Sequence, residues 1–142
     1  MEFFRKSVIM EPFQYFVRKE RAIIYSNEEI ALFVELVAEA TDPDRIILFG
    51  SYAYGSPNDK SDIDLLVIKN GKDITFEDEA ELSAAVYYKR KQRRLRTRYD
   101  VLFRTERQIR QSVENSGALL DALRKGRVVY ERANQEERRA VL

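Results

Sequence analysis

The chain has no histidine, no cysteine and no tryptophan, and only five glycines and three prolines among its 142 residues. Without cysteine there are no disulfides and no thiolate nucleophiles, and without histidine there are no serine–histidine triads or imidazole bases. Together these absences exclude zinc sites built from thiol and imidazole. Catalysis would have to rest on carboxylates, hydroxyls, lysine and arginine, an oxygen-rich set that suits Mg²⁺. An excess of one charge is also missing. The 25 Lys and Arg against 24 Asp and Glu leave a net charge of +1, so no global field points to nucleic acid or an acidic partner. Long apolar runs are missing too. The stretch Ile30 to Ala40 is cut by Glu35 and Glu39 and falls short of the roughly 20 residues a membrane span needs. The opening residues are aromatic and mixed in charge, unlike a signal segment. A soluble, cytoplasmic protein with no membrane partner is expected, and 44% hydrophobic residues in a chain of this length suit one domain with a real core.

Three segments are distinguished. Residues 1–25 form an aromatic and basic extension, residues 26–131 the domain, and residues 132–142 a charged tail. Ser26 lies three residues before Glu29, the capping-box spacing, and Ile30, Phe33, Val34 and Val37 follow on one helical face, so the pattern predicts a helix over 27–40. Asp42-Pro43 ends it, and Arg45 to Phe49 is a β-branched run suited to a buried strand. Asp62 to Ile68 reads as a second strand, closed by Asn70-Gly71. The stretch from Phe76 to Leu95 suits a helix, acidic at its start and basic at its end. Tyr99 to Phe103 reads as a third strand. A capped helix follows from Thr105, interrupted at Asn115-Ser116-Gly117, then a helix over 118–125 and an edge strand at 128–130. The plan is α/β (α+β).

Chemistry concentrates in one constellation. Side chains alternate along a strand, so Asp62 and Asp64 share a face, with Ile63, Leu65 and Val67 on the other. Carboxylates so close repel unless a cation sits between them. Asp100 begins the third strand, opposite in facing to Tyr99 and Val101, and joins the pair if the strands are neighbours. Three carboxylates suit Mg²⁺, and two ions about 3.5 to 4 Å apart activate an attacking hydroxyl and stabilise a leaving phosphate. Ahead of them Gly50-Ser51 ends a strand in a tight turn whose backbone N–H groups and hydroxyl suit phosphate.

Gly50-Ser51, ten residues, then Asp62-Ile63-Asp64 resembles the G-S-x10-D-x-D signature of the DNA polymerase β-like nucleotidyltransferase superfamily, in particular its minimal nucleotidyltransferases. The resemblance covers roughly residues 27 to 131; Tyr54 stands where members often carry arginine. It implies a mixed twisted sheet and transfer of NMP from an NTP, usually ATP, to an acceptor hydroxyl with release of pyrophosphate. By the same resemblance Gly50 and Ser51 hold the triphosphate, and Asp62 and Asp64 hold two Mg²⁺. Asp100 binds the catalytic ion and helps to deprotonate the acceptor. Stand-alone minimal members typically work beside a HEPN-domain protein, some as antitoxins that attach AMP to a tyrosine of that toxin, and this is the function expected here. The alternatives are a non-catalytic module that masks or regulates a partner, and a transferase acting on a small molecule or RNA end. The basic run Lys89 to Arg98, with seven positive charges in ten residues, reads as a solvated helix end more readily than as a nucleic-acid surface. The residues leave open whether the protein is a homo- or hetero-oligomer.

Overall fold

The protein is described by a computed structural model over residues 24–112 and 117–133. The sequence readings for residues 1–23, for the interruption at 115–116 and for the end of the tail lie outside the described residues. The first helix, α1 (Asn27–Thr41), forms where the capping box predicts it: Ser26 Oγ accepts from the Glu29 N–H at 3.2 Å and Glu29 Oε1 accepts from the Ser26 N–H at 3.2 Å. Asp42, in the left-handed region at φ 48, closes it ahead of Pro43 by donating its N–H to Ala38 O. Next come β1 (Arg45–Phe49), a single turn α2 (Ser51–Tyr54) and β2 (Ile63–Ile68). Then follow α3 (Phe76–Gln92), β3 (Tyr99–Arg104), α4 (Glu106–Ser112), α5 (Gly117–Lys125) and β4 (Arg127–Glu131).

The four strands form one sheet in the order β3-β2-β1-β4. β1 is antiparallel to both β2 and β4, and β2 is parallel to β3, so the sheet is mixed, as the family resemblance implies. Because side chains alternate, Ile46 and Leu48 of β1 and Ile63, Leu65 and Val67 of β2 enter a core with Phe33, Val34 and Val37 of α1. Ile47, Phe49, Leu66 and Ile68 face the other way, against Ile109 of α4 and Leu119 and Ala122 of α5. The outer edge of β3 is partly capped: Glu79 of α3 accepts from the Phe103 N–H at 3.0 Å and from Arg104 Nη1 at 2.8 Å.

α3 stops three residues before the expected Leu95. Arg94 takes the left-handed conformation at φ 57, its N–H bonds Lys91 O, and the Leu95 N–H reaches back to Arg90 O. This paired closure is the usual one for a helix C-terminus, but with arginine where glycine commonly marks it. Among the described residues no helix is long and apolar enough to cross a membrane.

Candidate active site

β1 ends at Phe49, and register pairs Phe49 with Asp64 on β2. The next residue, Gly50, therefore lies against the Asp64 side chain. A Cβ at position 50 would overlap the Asp64 carboxylate, and Gly50 also holds φ +72, a region side chains rarely adopt. Glycine is needed here twice over. From Gly50 the chain winds into α2, with Gly50 O accepting from the Ala53 and Tyr54 N–H groups at 3.0 and 3.1 Å. Ser51, half-buried, takes the first position of that turn, where a backbone N–H has no intrahelical acceptor.

Asp64 is paired in register with Asp100 on the parallel neighbour β3. Paired residues on adjacent strands project to the same face about 5 Å apart, so the two carboxylates stand side by side. Asp64 is half-buried and Asp100 exposed. Burial first, then the negative charges of Asp100 and Asp62, push the Asp64 carboxyl up to about 6. A desolvated acid crowded by like charge is what a cation relieves.

Asp62 stands just before β2 and is exposed, with Arg98 Nε at 3.5 Å from its Oδ1. The same guanidinium donates through Nη2 to the carbonyls of Asp59 (2.9 Å) and Ser61 (3.0 Å), clamping the loop that leads into β2. The structure thus brings Asp64, Asp100 and the Gly50-Ser51 turn together, and leaves Asp62 beside them engaged with arginine. Among the described residues no three acidic side chains are gathered closely enough to hold a metal ion by themselves. Mg²⁺ does not require that: it binds through one or two carboxylates and completes its shell with water and substrate phosphates. A facing pair of hard oxygen donors next to the Gly50-Ser51 turn fits such an ion loaded together with a nucleotide.

Several supporting residues escaped the sequence reading. The Tyr52 hydroxyl of α2 accepts from the Tyr25 N–H at 3.1 Å, and the Tyr25 hydroxyl accepts from the Arg98 N–H at 2.9 Å. This chain of contacts ties the Gly50-Ser51 turn to the start of β3, one residue from Tyr99 and two from Asp100. The three residues lie 27 and 73 positions apart, and no local pattern links them. An open cleft of about 340 Å³ adjoins Asp62, lined by Arg90, Thr97, Arg98 and Tyr99. A larger hollow of about 420 Å³, bordered by Lys69, Lys72 and Asp78, lies past the opposite end of β2 from Asp64. Lys125 places its Nζ 5.6 Å from the ring centre of Tyr54, adding a cation beside α2. Much of the basic run is used internally: Lys89 and Arg93 pair with Glu39, while Arg90 donates to Thr97 O and stacks over Tyr99.

None of the curated proteins compared with the sequence matches it. A solved structure described as "Crystal structure of the toxin-antitoxin with AMP-PNP" resembles the chain with a TM-score of 0.45 and 19% identity, covering 80% of each chain. The family described as "Polymerase beta, Nucleotidyltransferase" matches residues 33–135, well over half of the sequence and all of the constellation above. The chain belongs to the polymerase beta nucleotidyltransferase family.

Proposed function

We propose that the protein transfers a nucleoside monophosphate, AMP from ATP, to an acceptor hydroxyl with release of pyrophosphate, and that it is the antitoxin of a HEPN/MNT pair that AMPylates its partner protein. The observation that carries the transferase reading is the register pairing of Asp64 with Asp100 immediately beside Gly50-Ser51. The partner reading rests on the sequence resemblance to minimal nucleotidyltransferases.

In this reading Gly50 and Ser51 seat the triphosphate, the backbone at Gly50 allowing close approach. Asp64 and Asp100 would hold Mg²⁺, and Asp62, now beside Arg98, would join them on giving up that contact. Mg²⁺ held there would neutralise phosphate charge and lower the pKa of a hydroxyl bound to it. Asp100, the more exposed of the facing pair, accepts the proton of the acceptor hydroxyl. The acceptor oxygen bonds to the α-phosphorus as the bond to the bridging oxygen breaks, and pyrophosphate leaves. Lys125 and Arg98 add positive charge around the departing group.

Calorimetric titration of ATP with and without Mg²⁺, on the native protein and on Asp64→Asn checked for folding, tests the site. Mg²⁺-dependent binding that disappears in the variant is expected. Binding indifferent to both would sink the transferase reading. ATP labelled at the α-phosphate should then mark a tyrosine of a co-purified HEPN partner, and Asp64→Asn should fail to neutralise that toxin. Full neutralisation by the variant would establish masking in place of catalysis.

A further inference from the structure

The outward side of α3 is unlike an ordinary solvated helix face. Inward, Val86 is fully enclosed and Leu82 partly so. Outward, Phe76 is 85% exposed, Tyr88 67% and Tyr87 43%, with Ala80 and Ala84 exposed between them. Phe76, Ala80, Ala84 and Tyr88 recur at every fourth position and form a continuous ridge, with Tyr87 alongside. Three aromatic rings flanking two alanines give an apolar surface with a low centre, where another backbone can approach closely. Contiguous apolar surface of this kind marks an interaction site.

The charges on the same face identify the occupant. Lys89 and Arg93 are engaged with Glu39, and Arg90 with Thr97, which leaves exposed Glu77 and Glu81 in the first half of the face and exposed Lys91 at its end, with no ion pair among the described residues. A two-fold interface between identical helices is self-complementary, so each residue meets its image or its counterpart. A parallel arrangement would set Glu77 against Glu77 and Lys91 against Lys91. An antiparallel one with Ala84 on the axis sets Glu77 opposite Lys91 of the second copy, twice, and places Tyr88 over Ala80 of the second copy. Glu81 falls opposite Tyr87 of the second copy, so the charge complementarity of the face rests on the two Glu77–Lys91 pairs and its relief on Tyr88 over Ala80.

We propose that the outward face of α3 binds a second copy of this chain, antiparallel and two-fold, with Ala84 at the axis. The surface is distinct from the carboxylate site and independent of the transfer reaction.

Sedimentation velocity of the full chain tests it. A concentration-dependent dimer is expected. Glu77→Lys and Lys91→Glu should each weaken it by about tenfold or more, since both copies exchange an attraction for a repulsion. The double reversal, Glu77→Lys with Lys91→Glu, should restore it. Ala84→Glu, which sets two like charges face to face on the axis, should yield monomers with an unchanged circular-dichroism spectrum and thermal midpoint. A native chain that stays monomeric at tens of micromolar, a dimer that survives Ala84→Glu, or failure of the double reversal to rescue would each overturn the proposal.

Discussion

Along β2, Ile63, Leu65 and Val67 enter the core beneath α1, whereas Asp64, Leu66 and Ile68 face the other way, Leu66 and Ile68 into the layer beneath α4 and α5. Among the described residues the first layer gathers sixteen buried side chains and the second only seven, so the cover on the second side runs out before it reaches Asp64. A strand with period two can hold the fold together on one side and present carboxylates on the other. The thick side fixes the register, since a one-residue slip would turn Asp64 into the core beneath α1 and Ile63, Leu65 and Val67 out of it. The thin side then receives Asp64 at a fixed place, directly beside Asp100 and against Gly50.

Four perturbations probe this division. The largest effect is expected from Asp64→Asn on the thin side: loss of nucleotidyl transfer on the order of a thousandfold, read by release of pyrophosphate, with the fold retained. Leu65→Ala, its neighbour on the thick side, should do the reverse. It should cost about 2 to 5 kcal/mol in denaturant unfolding and leave the affinity of the surviving folded protein for Mg²⁺–ATP nearly unchanged. Equal losses of stability from both would dissolve the distinction. Gly50→Ala should mix the two, costing about 1 to 3 kcal/mol for a backbone region that excludes Cβ atoms and also weakening Mg²⁺ binding, because the new methyl displaces the Asp64 carboxylate.

The smallest effect is in pH dependence without metal. The Asp64 carboxyl is raised from 3.8 to about 6 in the folded state, so between those values the native state holds more protons than the unfolded one. Its contribution to stability is present below about pH 4 and is lost as pH rises through 6, the opposite of an ion-paired aspartate. Thermal melts of the metal-free protein should therefore show Asp64→Asn stabilising above pH 6 and neutral near pH 4. Mg²⁺ affinity of the native protein should rise through the same interval. A melt difference that ignores pH would mean Asp64 is not crowded as described.

Much of this was legible from residues close in sequence. The Ser26 capping box, the apolar face of α1 and the β-branched run of β1 each declare themselves within a few positions, and the two strands that carry Asp64 and Asp100 stand where alternation places them. What stayed hidden depends on distance or on an unusual residue. That β2 and β3 are parallel neighbours with Asp64 level with Asp100 is a property of sheet order, which no local pattern carries. The end of α3 was missed because Arg94 occupies a position that glycine would have signalled. Asp62 looked equivalent to Asp64 by spacing alone, yet it lies outside the strand and next to Arg98, a residue the sequence grouped with a solvated basic run. Tyr25, counted with the N-terminal extension by composition, is buried and bridges α2 to β3.

Glu79 has a consequence for how the chain keeps company. β3 is an outer strand, and such strands offer a template on which other molecules can add strands and grow into fibres. By taking the Phe103 N–H, a carboxylate from the crossing helix occupies a rung of that template. An incoming strand would have to expel a charged group that Arg104 also holds. The edge that carries Asp100 is thereby blocked at the Phe103 rung, while β4 forms the other edge of the sheet.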